Sequence, residues 1–244
     1  MSEISDLHRI EPAELDEFAV RFEQSTPEEI LAWGLRRFHP RLALACSFGP
    51  EDVALVDIMV RVQPDARVFY LDTDFLFPET HDVRLRIIER YGIEPVAVRP
   101  PLSPDEQAGL HGEELYKRHP DQCCKIRKVD PLRQTLQGLD AWITGIRRQQ
   151  SPTRANARVV EWDAVFGLVK INPLALWKDT DVWDYIRRHD VPYNILHDQN
   201  YPSVGCTHCT LPIQPGQDPR SGRWAGSGKT ECGLHLSTAA GGSQ

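Results

Sequence analysis

Five of the six cysteines in this 244-residue chain stand at spacings that point to chemistry: an adjacent pair in Gln-Cys123-Cys124-Lys-Ile-Arg-Lys, a Cys206-Thr-His-Cys209 pair, and a lone Cys232 in Lys-Thr-Glu-Cys-Gly-Leu-His. Four of them could bind a metal centre, which leaves Cys232 free for reaction. Adjacent side chains on a helical turn point in different directions and rarely close on one mononuclear tetrahedral ion. A cubane cluster is more forgiving, because its irons sit at separate corners and each thiolate can take one. Four thiolates also suit Zn²⁺, whose usual signature is two Cys-x₂₋₄-Cys pairs where this chain has one. A disulfide framework is the third option. The opening Met-Ser-Glu-Ile-Ser-Asp carries no apolar export segment and the chain is long enough to bury a core without staples, so reduced, cytoplasmic thiols are expected.

Composition narrows the function classes. A net charge of −7 and a pI near 5.7 argue against a general nucleic-acid binder, and no apolar run approaches the length needed to span a membrane. Basic residues nevertheless cluster around the cysteines and glycines: Arg127 and Lys128, Arg147 and Arg148, Arg154, Arg220 and Arg223. A local basic pocket in an acidic protein suits a small anionic substrate.

The elements that must position these groups alternate. Two helices are expected before residue 40, over Glu14 to Gln24 and from the Thr26-Pro-Glu-Glu capped start to Phe38. Strands follow at Leu42 to Cys46, Arg67 to Leu71, Pro95 to Val98, Ala141 to Thr144 and Val169 to Asn172, with helices over Asp52 to Val62 and Glu79 to Tyr91. A late helix runs to His189 with Asp179 expected as its N-cap and Asp181 in its first turn. This β/α alternation predicts a mainly parallel twisted sheet with helices on both faces, its ligands gathered beyond the carboxyl ends of the strands, where Ser47, Thr73 and Gly145 fall. Two parts are expected: residues 1–213 as the binding domain and residues 214–244, rich at first in Gly, Ser, Arg and Pro, as a mobile segment carrying Cys232.

The loop Ser47-Phe48-Gly49-Pro50-Glu51-Asp52, between a buried strand and a helix, has the context of an anion site. It is neither a P-loop nor a Gly-x-Gly-x-x-Gly turn. It loosely resembles the pyrophosphate loop of the adenine nucleotide α-hydrolases without their double glycine, so nucleotide binding is expected and ATP cleavage is not.

With Cys-Cys-x-x-Arg-Lys at 123–128, Cys-x-x-Cys at 206–209 and Lys-Thr-Glu-Cys-Gly-Leu-His at 229–235, the chain resembles the assimilatory adenylyl-sulfate reductases, the iron–sulfur branch of the APS/PAPS reductase family. Ser47-Phe-Gly, Leu71-Asp-Thr73, Gly145-Ile-Arg-Arg148 and Gln150-Ser-Pro-Thr-Arg154 extend the likeness over most of the sequence. The resemblance implies an adenine nucleotide α-hydrolase-like fold and thioredoxin-dependent reduction of adenosine 5′-phosphosulfate to sulfite and AMP, in sulfate assimilation and cysteine biosynthesis. It further implies a [4Fe-4S] cluster on Cys123, Cys124, Cys206 and Cys209, and Cys232 as the nucleophile that carries a thiosulfonate. Ser47 and Thr73 would contact the nucleotide, while Arg148, Arg154, Arg220 and Arg223, with Lys128 and His235, would meet phosphate and sulfate. Lys128 would separate the cluster's negative charge from the anionic substrate. Lys229, His235, Arg220 and Arg223 are the cations nearest Cys232 in sequence, and Glu231 opposes them.

Expected partners are the sulfonucleotide, thioredoxin and further copies of the chain as a homo-oligomer, with no nucleic acid and no membrane. Two alternatives remain, a reductase of the 3′-phosphorylated nucleotide and a cluster-bearing sensor that binds without turnover. Cys46, Trp142, Trp177 and Trp183 are expected in the core, Trp224 over the substrate, His208 beside the Cys206/Cys209 loop without ligating, and the remaining histidines, His197 among them, at the surface or at caps.

Overall fold

The computed structural model describes residues 10–235, so His8 and the last nine residues of the expected mobile segment, 236–244, lie outside the described residues. Helices α1 (Pro12–Arg21) and α2 (Pro27–Phe38) open the chain, and α2 starts at the capping box foreseen at Thr26. The Thr26 hydroxyl accepts from Glu29 N at 3.3 Å, and the Glu29 carboxylate accepts from Thr26 N at 2.9 Å. The sheet then builds from β1 (Leu42–Ala45), β2 (Arg67–Leu71), β3 (Val96–Val98), β4 (Ala141–Ile143), β5 (Val160–Asp163) and β6 (Leu168–Ile171) in the order β3-β2-β1-β4-β6-β5. All pairs are parallel except β5 with β6. The antiparallel edge strand β5 was absent from the sequence reading: it is four residues long, and its burial runs against residue type, with Asp163 buried and Trp162 half exposed.

Both faces of this sheet are covered, and the strands show it residue by residue. Leu42 and Leu44 of β1, with Ala141 and Ile143 of β4, face the larger cluster under α3 (Pro50–Val62), α2 and α9 (Asp179–His189). Ala43 and Trp142 point the other way, onto Phe69 and onto Leu132 and Leu136 of α8 (Asp130–Leu136). Period-2 alternation with apolar groups on both sides is the mark of a doubly wound sheet. Between β2 and β3 lies α4 (Pro78–Tyr91). The long stretch between β3 and β4 is itself helical: α5 (Pro104–His111), α6 (Leu115–Arg118), α7 (Pro120–Cys124), a π-helical turn over Lys125–Val129, and α8.

One boundary differs from expectation. Asp179 is already helical, and the cap of α9 is Lys178, whose N–H donates to Asp181 at 2.7 Å. Asp179 instead reaches Arg147 at 3.0 Å. From β1 the chain winds outward through β2 and β3, then returns to place β4 on the opposite side of β1, so the order reverses between β1 and β4. In a doubly wound sheet a ligand crevice opens at that reversal.

Candidate active site

A cavity of about 720 Å³ opens at the carboxyl ends of the strands, where the Ser47 loop after β1 meets Gly145 after β4. The helix α3 begins at this loop with Gly49 as N-cap and Pro50 in its first turn, leaving the first-turn amides without intrahelical acceptors. Phe48 adopts a left-handed conformation (φ 59°) and buries its ring against Tyr70, which turns the loop toward the cavity. Ser47 lines the cavity, but its hydroxyl donates to Asp52 at 2.6 Å and its N–H donates to the same carboxylate at 2.5 Å. Burial raises Asp52 to about 6 against the opposing pull of those two bonds. Gly145 packs so closely over Asp52 and Glu51 that a Cβ there would collide with both.

Arg147 and Arg148 part company here. Arg147 enters the cavity and bonds Glu51 at 2.7 Å. Arg148, expected at the substrate, does not line it: its guanidinium pairs with Glu23 at 2.6 and 3.0 Å and donates to the Ala157 carbonyl at 2.8 Å. The extended backbone at Arg147 sends successive side chains to opposite sides, so two adjacent arginines cannot both face in. Thr73 also differs from expectation in detail. It is fully buried, lines the cavity, and its hydroxyl lies 3.3 Å from Cys206 Sγ while accepting from Phe75 N.

A second, small pocket lies behind the first and is lined by Cys123, Cys124, Cys206 and Cys209. The tertiary fold thus unites two sequence motifs some eighty residues apart. Burial and the neighbouring thiols push Cys123 and Cys209 each up to about 11. Arg127 is buried beside them, bonded to Gln107, to the Thr73 carbonyl and to Asp74 and stacked on Phe75, with Nη2 unpartnered. His208 stacks on Tyr116 at 4.2 Å, next to the cysteines. Among the described residues no three His, Cys, Asp or Glu side chains are grouped to hold a single metal ion. Four thiols lining one small pocket are a donor set that fits a larger inorganic centre with separate corners.

Lys128 and Trp224 line both pockets and form the wall between them. Burial works against charge on Lys128, yet Cys206, Cys232 and Cys124 together hold it above its ordinary value. Among the described residues Lys128 makes no hydrogen bond or ion pair. Trp224, 5% exposed, carries the Arg223 guanidinium on its ring at 4.5 Å, with Arg220 and Lys229 also over it.

The C-terminal segment folds over this wall and brings Cys232, Leu234 and His235 to the cavity. Glu231 anchors it. Its carboxylate accepts from Arg154 at 2.9 and 3.1 Å, from Arg220 at 3.1 Å, and from the Thr153 and Ser151 hydroxyls. Burial works to raise this carboxyl, and Arg154 and Arg220 outweigh it, holding it below its ordinary value. Lys229 pairs with Asp121 of α7. His235 stacks on Trp142 at 5.7 Å, its Nδ1 unpartnered; burial first, then Lys170, Arg154 and Arg220, push it well below its ordinary value. Arg223 bonds Ser203 and the Val204 carbonyl and keeps Nε unpartnered.

Of the expected site residues, the fold therefore brings Ser47, Thr73, Lys128, Arg154, Arg220, Arg223, Cys232 and His235 to one cavity and leaves Arg148 outside. It adds Glu51, Asp52, Arg147 and His197. His197 is not a surface group: it lines the cavity with Nδ1 2.8 Å from the Tyr201 carbonyl and its ring against Trp183. The spacing of Ser47 and Asp52 within one turn of a helix start was the available signal for Asp52. Nothing in spacing marked His197.

The doubly wound sheet, with a helix N-terminus and a basic wall at its reversal point, places the molecule in the adenine nucleotide α-hydrolase-like class of α/β proteins. More narrowly, the chain belongs to the phosphoadenosine phosphosulfate reductase domain family, which matches residues 41–212. An adenosine 5′-phosphosulfate reductase of Shouchella clausii is 50% identical over 86% of this chain and 88% of its own. A phosphoadenosine 5′-phosphosulfate reductase of Gloeobacter violaceus is 48% identical over 93% and 95%. The solved phosphoadenylyl-sulfate reductase of Candida auris, in complex with phosphate, superposes with a TM-score of 0.75 at 28% identity, covering 83% of this chain and 98% of that one.

Proposed function

We propose that this protein reduces adenosine 5′-phosphosulfate to sulfite and AMP with thioredoxin as electron donor, in sulfate assimilation. The observation that carries the reading is the meeting of Cys232 with the Ser47 loop and the Lys128, Arg220 and Arg223 cations in one cavity. The nucleotide's phosphate would lie between the α3 N-terminus and the Arg154–Arg220 pair, and its sulfate toward Lys128 and Arg223. The Cys232 thiolate attacks the sulfate sulfur; an S–S bond forms, the S–O bond to the AMP phosphate breaks, and AMP leaves with that electron pair. A thioredoxin thiolate then attacks Cys232 Sγ and expels sulfite, and its second thiol resolves the mixed disulfide, so the dithiol supplies the two electrons.

Cys123, Cys124, Cys206 and Cys209 would hold a [4Fe-4S] cluster, supported by the enclosed four-thiol pocket. When bound, that cluster supplies fixed negative charge and not the electrons of turnover. Lys128, between that pocket and the cavity, then screens the substrate from it. Six free cysteines suit a cytoplasmic setting in which thiols stay reduced. The segment from residue 214 would move to expose the thiosulfonate. Within it, Leu211 N to Gly222 O and Trp224 N to Cys209 O tie the first part to the body, so the motion belongs to the residues after Trp224.

The decisive experiment compares sulfite formation from the 5′-phosphosulfate and its 3′-phosphorylated form, with iron and acid-labile sulfide measured in the same anaerobic sample. Cys232→Ser should abolish sulfite formation and leave the cluster absorbance intact; retained turnover sinks the reading. The Gloeobacter violaceus relative's name favours the 3′-phosphorylated nucleotide as a second candidate, and faster turnover of that form would replace the first.

A further inference from the structure

The Glu231 carboxylate sits where the arginines would otherwise be free to receive an anion. Arg154 and Arg220 come from different parts of the chain, one after β4 and one in the C-terminal segment, and both end on this one carboxylate, which is 9% exposed. A third member of the basic wall, Arg223, makes no ion pair among the described residues, and Lys128 makes none either. The two arginines that Glu231 occupies therefore lack the free valence that the other two cations retain. Two further anchors hold the segment without touching the arginines: Lys229 on Asp121, and His235 on Trp142. They bracket Cys232 from both sides.

We infer that Glu231 is a built-in competitor for the substrate's anion: it fills the Arg154–Arg220 subsite in the nucleotide-free protein, and an incoming phosphate or sulfate oxyanion must displace it. The inference rests on the functional reading above in taking Arg154 and Arg220 as oxyanion ligands. Displacement frees the residue next to Cys232 while the anchors at Lys229 and His235 stay in place, so the nucleophile remains over the cavity with its own backbone unclamped. When AMP has been expelled, the carboxylate returns and closes the subsite against it. An internal competitor lowers the apparent affinity of any ligand by the fraction of molecules in which it is displaced.

The test is AMP binding by calorimetry at fixed ionic strength on full-length, cluster-loaded protein, wild type against Glu231→Gln and Glu231→Ala. Both variants should bind AMP about tenfold more tightly, within the usual span of a coupling between two ligands. Inorganic sulfate should follow the same order. Unchanged or weaker AMP binding in both variants, with unaltered circular dichroism and iron content, overturns the inference. Arg154→Gln and Arg220→Gln separate it from the functional reading. If these lose AMP while the Glu231 variants stay at the wild-type value, the arginines are ligands and Glu231 is not their competitor. If neither arginine variant loses AMP, the oxyanion assignment itself fails.

Discussion

Asp52 shows how one buried carboxyl serves the site against the interests of stability. It receives both the N–H and the hydroxyl of Ser47, so the ionised form holds the anion loop in shape, yet burial raises it to about 6. Its folded-state value lies above the ordinary one, so the folded protein binds the extra proton between those two values. Stability should therefore fall as pH rises through about 6. Nucleotide affinity should move the opposite way, weakening as pH falls through about 6. Thermal melts and AMP titrations across this range check both, and Asp52→Asn should flatten both profiles while binding AMP more weakly at pH 8. A wild-type protein with flat profiles would remove Asp52 from this role. Phe48, Asp74 and Trp224, all non-glycine residues with positive φ, sit one in each of the loops or segments that wall the site. Strain of this kind persists where surrounding packing over-determines it.

At the level of elements, the site depends on how closely β4 approaches the start of α3. Gly145 leaves room for Asp52 and Glu51, and a Cβ would stand 2.9 Å from the Glu51 Cβ and collide with the Asp52 carboxylate. Gly145→Ala should cost about 2 kcal/mol through overpacking and should weaken AMP binding, because relief comes by shifting the helix start that forms the anion loop. Denaturant melts and AMP titration measure the two effects. Thr26→Ala offers the contrast: loss of the α2 capping box should cost about 1 kcal/mol and leave AMP affinity unchanged, since that cap lies outside the cavity. The helical insertion between β3 and β4 has the complementary task. The short helix α7 and the π-turn after it carry Cys123, Cys124, Arg127 and Lys128, so one stretch of backbone presents thiols to the rear pocket and a cation to the wall in front.

For the molecule as a whole, the Cys232 thiol is brought to the cavity by a segment fastened with charges. Lys229 on Asp121 and Glu231 on Arg154 and Arg220 are both ionic anchors, and the Asp121 partner is open to solvent. Salt screens such pairs, so trypsin cleavage after Lys229 should accelerate several-fold as ionic strength rises. An unchanged cleavage rate would show that packing of Trp224 and His235, not charge, holds the segment.

The sequence by itself determined the parallel sheet, because strands buried on both faces must be continuous apolar runs, and Leu42 to Ala45, Arg67 to Leu71 and Ala141 to Ile143 are legible as such. It also determined which thiols belong together, since the types and spacings of Cys123, Cys124, Cys206, Cys209 and Cys232 restrict what they can do. It did not contain the strand β5, four residues long with Asp163 buried and Trp162 half exposed, nor the direction of any single arginine. Only the tertiary structure decided that Arg147 faces in and Arg148 out, that Thr73 serves Cys206, and that Glu231 holds the two arginines expected to hold substrate. Spacing along a chain fixes which groups can share an element. Which of them meet depends on the backbone direction at each loop and on partners distant in sequence, such as Glu23 for Arg148 and Glu231 for Arg154, and those meet only once the sheet has closed around its reversal point.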